Sequence, residues 1–122
     1  MKAKAESIQA FDTTPKSPHG LDTPGQLSSA YDLALIARAA MKRSDFRKIV
    51  HTKRYTFPKS GPKNVNRKIH NLNKLLFNYP GTLGVKTGWT TKSQNTYIGV
   101  VKRDGHTILI TFMHLSYGRD AL

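Results

Sequence analysis

Cysteine is absent from the 122 residues, which excludes disulfides, thiolate metal sites and a cysteine nucleophile. That absence suits a cytosolic protein and an exported one equally well. No apolar run approaches the ~18 residues needed to cross a bilayer as a helix, and Met1–Glu6 lacks the apolar stretch of a signal peptide. Acidic residues are scarce: 7 Asp and Glu stand against 20 Lys and Arg, a formal charge of +13. A field of that sign attracts any polyanion. The cations nevertheless scatter from Lys2 to Arg119, densest between Lys42 and Lys74, and build no zinc-finger, basic-zipper or RNA-recognition signature. Sequence-specific nucleic-acid binding is therefore disfavoured, and a solvated surface facing an anionic environment fits better. His51, His70, His106 and His114 show no metal-ligand spacing and no accompanying carboxylate cluster, so no metal and no cofactor is implied.

What remains is an ordinary globular composition, 38% hydrophobic and 22% charged, about one domain long. Met1 to Gln9 are mostly good helix formers without a strong cap, and read as the tail of a helix begun elsewhere. Pro15 to Gln26 is punctuated by Pro18, Gly20, Pro24 and Gly25 and is expected to be an ordered loop. Ser29, three residues before Asp32, opens a helix with Leu33, Ile36, Ala37, Ala40 and Met41 at helical spacing. A second short helix starts near Ser44 or Asp45, with Phe46, Ile49 and Val50 turned inward and Arg43, Arg47 and Lys48 facing water. Thr52–Phe57 predicts a strand that ends at Pro58. Thr82–Thr87, Thr96–Lys102 and Thr107–Phe112 predict three more, the last two joined by the Asp104-Gly105 hairpin signal. Both hairpin arms are apolar on two faces, so their sheet needs cover on both sides, more than these few helices supply.

One triplet carries chemistry. Lys86-Thr87-Gly88 is a K-T-G at the end of a predicted strand, the pattern that accompanies S-x-x-K and S-D-N in penicillin-binding proteins and class A β-lactamases. On a strand, Lys86 and Gly88 share one face and Thr87 takes the other, so a ligand along the edge meets backbone and side chains together. Lys86 supplies positive potential, Thr87 a hydroxyl donor for a carboxylate, and Gly88 room for close approach. Taken alone, the triplet fits a strand that merely ends in a turn.

Its surroundings decide more. Ser17-Pro18-His19-Gly20-Leu21-Asp22, Ser28 to Ala39, Asn71-Leu72-Asn73-Lys74-Leu75-Leu76 and Tyr79 to Gly88 occur in order. Together with Met1-Lys2-Ala3-Lys4-Ala5 and Tyr117-Gly118-Arg119, they closely resemble the serine-type D-alanyl-D-alanine carboxypeptidases, the low-molecular-mass penicillin-binding proteins. The resemblance runs over essentially the whole chain and corresponds to the C-terminal part of the family's catalytic domain.

It implies an α+β fold of the penicillin-binding/β-lactamase type, an antiparallel sheet flanked by helices and incomplete here. Residues 1–122 would form a single partial peptidase domain, with loop and helices in 1–51 and the sheet-forming part in 52–122. The implied reaction is acyl transfer through a serine ester, trimming peptidoglycan stem peptides that end in D-Ala-D-Ala, with β-lactams as ligands of the complete enzyme. Lys86, Thr87, Gly88, Trp89 and Arg119 are the substrate-binding candidates; Trp89 either lines the pocket or packs at the surface.

No catalytic nucleophile is found. Ser60-Gly61-Pro62-Lys63 fits S-x-x-K only formally, because Gly61-Pro62 cannot form the helical turn that stacks Ser on Lys. Ser93-Gln94-Asn95 fits S-x-N but follows K-T-G directly and reads as a turn. The missing motifs and the export signal are expected upstream of Met1, with the parent enzyme acting outside the cytoplasmic membrane and this chain inactive alone. His19 reads as a structural hydrogen-bonder. The rival class is a non-catalytic basic module for anionic wall polymers or nucleic acid.

Overall fold

Chain order is α1 (Lys2–Glu6), α2 (Ala30–Ala40), α3 (Ser44–Val50), β1 (Arg54–Ser60), β2 (Val65–His70), α4 (Leu75–Asn78), β3 (Thr82–Thr90), β4 (Gln94–Arg103) and β5 (His106–Leu115). The structure, a computed structural model, describes residues 1–60 and 65–116. Two antiparallel sheets result, β1-β2 and β3-β4-β5. α2 packs on β5 and β4, while α3 and α4 pack on β3. This is the α+β arrangement expected.

The helical stretch at the start is shorter than its composition suggests. α1 stops at Glu6, and Gln9 turns left-handed at φ 65 while its N–H and that of Ala10 reach back to the carbonyls of Glu6 and Ala5. α2 begins as predicted: the Ser29 side chain accepts from the Asp32 N–H at 3.1 Å. The Asp32 carboxylate does not complete a reciprocal box. It is buried and accepts the Thr13 hydroxyl at 2.8 Å, tying the loop before α2 to its first turn.

α3 corrects the expected inward face. Ile49 is 71% exposed, Phe46 and Val50 are half-buried, and no residue of this helix is fully buried. With only seven residues, the helix has no complete stripe to turn inward. At its start Arg43 donates to both Asp45 oxygens, and that bond holds the carboxyl down to about 2. α3 seats on β3 where Gly84 leaves room, since a Cβ there would lie 2.8 Å from Val50 Cγ2.

The strand expected to end at Pro58 instead runs on to Ser60 and pairs with β2, which was not foreseen. The ladder is regular from Arg54↔His70 to Phe57↔Arg67 and slips before Ser60↔Val65. Pro58 sits in that slip, where its missing N–H costs no ladder bond. β2 reads Val-Asn-Arg-Lys-Ile-His, whose polar middle gives no strand signal. The β4–β5 turn is the one predicted: Asp104 and Gly105 both take positive φ, 51 and 77.

The sheet-centred part of the core contains Leu76, Val85, Tyr97 and Val100. Its opposite margin is open: Ile108 and Phe112, on one face of β5, are 61% and 44% exposed. The predicted shortage of cover is thus visible among the described residues.

Tyr97 is 3% exposed and donates its hydroxyl to Asn73 Oδ1 at 3.2 Å, joining β4 to the segment before α4. Burial pushes this hydroxyl above the ordinary value of 10.0. A group with a raised folded-state pKa contributes fully below its unfolded value and loses that contribution as pH rises through the folded one. Urea unfolding at alkaline pH is therefore expected to show a stability loss above the ordinary tyrosine range that Tyr97→Phe removes. At neutral pH the same substitution costs about 1 kcal/mol.

Candidate functional site

K-T-G lies in the second half of β3, an outer strand of its sheet. Its inner side is fully paired with β4: Lys86 opposes Ile98, Thr87 opposes Tyr97, Gly88 opposes Thr96 and Trp89 opposes Asn95. Among the described residues no strand pairs with the other side, which leaves backbone donors and acceptors for an extended ligand. Lys86 is exposed, and its ammonium donates to the Thr87 carbonyl. Thr87 and Gly88 are half-buried, and Trp89 is 41% exposed. Four of the five candidates thus fall in one run; Arg119, with Tyr117 and Gly118, lies outside the described residues.

Gly88 has a reason beyond ligand access. A Cβ at this position would sit 2.6 Å from Thr96 Oγ1 on the neighbouring strand, so even alanine forces Thr96 to move.

The loop 15–26 supplies a clamp that sequence reasoning missed. Asp22 accepts from Thr90 Oγ1 at 2.7 Å and from the Lys92 N–H at 3.2 Å, and Thr90 Oγ1 in turn accepts from the Ser93 N–H at 2.9 Å. One carboxylate thereby fixes the turn that ends β3. The available signal was the segment Gly20-Leu21-Asp22 itself, which carried the resemblance but had no assigned partner. His19 is placed as expected: its Nδ1 accepts the Leu21 N–H at 3.1 Å and shapes the same loop.

A second brace comes from the Asn71-Leu72-Asn73 segment. Asn71 Nδ2 donates to the carbonyls of Val50 at 3.3 Å and Thr52 at 3.1 Å, and Asn71 Oδ1 accepts the Asn73 N–H. Asn73 then holds Tyr97, the cross-strand partner of Thr87. The formal S-x-N, Ser93-Gln94-Asn95, lies in the turn and the start of β4, as its position after K-T-G required. Gly61 to Lys63 of the formal S-x-x-K lie outside the described residues.

The sequence model of the D-alanyl-D-alanine carboxypeptidase family matches residues 1–115. The chain belongs to that family. It is 38% identical over 116 residues to D-alanyl-D-alanine carboxypeptidase DacB2 of Mycobacterium tuberculosis, covering 93% of this chain and 39% of the relative. A D-alanyl-D-alanine carboxypeptidase of a Streptomyces species is 32% identical, with 93% and 40% covered. The chain thus spans about two fifths of the length of these two relatives. Among solved structures, a D-alanyl-D-alanine carboxypeptidase from M. tuberculosis superposes with a TM-score of 0.82 at 38% identity, over 92% of this chain and 42% of that one. The Streptomyces DD-transpeptidase gives 0.81 at 32%, over 91% and 44%. The fold is accordingly the part of a penicillin-binding DD-peptidase domain that holds the K-T-G strand.

Two stability tests follow from the carboxypeptidase-type strand and its brace. Gly88→Ala is expected to destabilise by about 1–3 kcal/mol through overpacking against Thr96. Gly88→Ala combined with Thr96→Ala should recover most of that loss in urea unfolding, and non-recovery would place the strain elsewhere. Asp22→Ala removes the acceptor of the Lys92 N–H and should raise hydrogen exchange at Lys92 and Ser93 while leaving the β4–β5 amides protected.

Proposed function

We propose that this chain carries the substrate-binding strand of a serine-type D-alanyl-D-alanine carboxypeptidase, which removes the terminal D-alanine of peptidoglycan stem peptides outside the cytoplasmic membrane. The supporting observation is the open outer side of β3 carrying Lys86-Thr87-Gly88, held by Asp22 at one end. A stem peptide lying along that side bonds to the β3 backbone as an added strand. Its terminal carboxylate meets the Lys86 ammonium and the Thr87 hydroxyl, and Gly88 keeps the approach free of a side chain. Trp89, exposed beside them, flanks the peptide, and Arg119 contributes a second cation for the carboxylate. β-Lactams take the same strand in the complete enzyme.

The serine nucleophile and its lysine base are supplied from an S-x-x-K helix outside these 122 residues, with the S-x-N motif facing K-T-G across the cleft. Loss of the nucleophile in a serine enzyme lowers turnover by on the order of 10⁶, so the chain alone is inactive on this reading.

The reading is tested with fluorescent penicillin and with D-alanine release from a D-Ala-D-Ala peptide. The 122-residue chain is expected to form no covalent penicillin adduct, and a product extended upstream through the same reading frame to include S-x-x-K is expected to form one. In that longer product Lys86→Ala should lower D-alanine release by about 10–150-fold, the worth of one charge-assisted hydrogen bond. Acylation of the short chain, or full activity after Lys86→Ala, overturns the reading.

A further inference from the structure

From Phe46 to Arg103 the sequence contains no Asp or Glu, although most of the Lys and Arg fall within it. Among the described residues, the ion pairs of Lys2 with Glu6, Arg43 with Asp45 and Arg103 with Asp104 involve none of Lys53, Arg54 and Lys68. The β1–β2 hairpin concentrates the imbalance. Its register places Arg54 opposite His70 and Thr56 opposite Lys68, so Arg54, His70 and Lys68 share one face. Beside that face, between the hairpin and α4, lies a groove of about 430 Å³ lined by Arg54, His70, Asn71, Phe77 and Asn78 among others.

The groove is prearranged for an anion. Arg54 is held over the Phe77 ring at 5.5 Å, with Lys53 over the same ring at 5.7 Å. A guanidinium on an aromatic face is fixed by its π-surface and keeps its in-plane N–H fork for a phosphate. Asn71 lines the groove, its amide held by donating to the carbonyls of Val50 and Thr52. Among the described residues no carboxylate lies within ion-pair distance of Lys53, Arg54 or Lys68. The one large ring in the groove, Phe77, carries two cations, and Tyr55 and Phe57 stack edge-on against each other. Tyr55 and Phe57 alternate with Arg54 and Thr56 along β1 and so lie on the strand face opposite Arg54.

We propose that the groove between the β1–β2 hairpin and α4 docks a polyphosphodiester chain of the cell wall, separately from the K-T-G strand. This rests on the wall-enzyme reading for the choice of polymer, since the charge pattern itself specifies only repeated phosphates.

The test measures binding of the full chain to purified poly(glycerol phosphate) at several salt concentrations. Lys53→Gln/Arg54→Gln/Lys68→Gln is expected to weaken binding by about tenfold or more and to flatten its salt dependence by about two to three contacts. Lys4→Gln/Arg38→Gln/Lys16→Gln removes the same charge elsewhere and should change binding by about twofold at most. Lys68→Gln alone, clear of the Phe77 stack, provides a milder variant and should cost about twofold to threefold. Circular dichroism confirms that each variant stays folded. Equal losses in the two triple variants would mean attraction by net charge alone and overturn the proposal; tighter binding to single-stranded DNA than to the polymer would overturn it in favour of nucleic acid. Lys86→Ala separates this site from the peptidase reading: polymer binding should survive it, whereas loss of binding would show that the groove is not a separate site.

Discussion

Pairing β3 to β4 from Thr82↔Val101 through Thr90↔Gln94 fixes which side of the K-T-G strand is occupied and which is free. Because strand faces alternate, the same register also decides that Lys86 and Gly88 point one way and Thr87 and Trp89 the other. A slip of one residue would exchange these faces and put Lys86 opposite the buried Tyr97. The register is protected by close contacts rather than by charge. Gly88 admits Thr96, Gly99 lies directly beneath the Tyr97 ring, with a Cβ there 2.6 Å from Tyr97 Cε1, and Tyr97 is bonded to Asn73.

Two polar braces hold the ends of this ladder, and each joins segments far apart in sequence. Asp22 links the 15–26 loop to the β3–β4 turn across more than sixty residues of chain, with |i−j| of 68 for Thr90 and 70 for Lys92. Asn71 and Asn73 link the end of α3 and the start of β1 to the middle of β4. Side chains whose partners are backbone N–H or C=O groups fix loops without needing a large apolar core. That matters here because the described core is small, Ile108 and Ile49 stay largely in solvent, and Phe112 is 44% exposed.

The sequence was most readable where the physics is local. The Ser29 cap, the Asp104-Gly105 turn and the strands of the β3-β4-β5 sheet, with hairpin arms apolar on both faces, depend on neighbours a few residues away, and all three are present. β2 was hidden because its strand state comes from pairing with β1, not from Asn66, Arg67 or Lys68 themselves. Pro58 misled because a proline at a ladder slip behaves unlike one in a regular ladder. Ile49 misled because helical spacing predicts a face only if something packs against it. K-T-G was legible as a motif, whereas Asp22 was not, since nothing near it in sequence points to Thr90.

The excess of positive charge and the K-T-G strand act at different ranges, and that separates what each explains. A field from many unpaired cations is screened over about 8 Å at physiological salt and enriches any anion near the surface, stem peptide and wall polymer alike. It cannot tell a peptide carboxylate from a phosphate, nor orient either one. Orientation needs directional groups at fixed spacing, and the two places that have them differ in kind. On β3 the donors are a strand's own backbone, a hydroxyl and one ammonium, which suits an extended peptide. In the hairpin groove they are a ring-mounted guanidinium and a second cation over the same ring, which suit a phosphate.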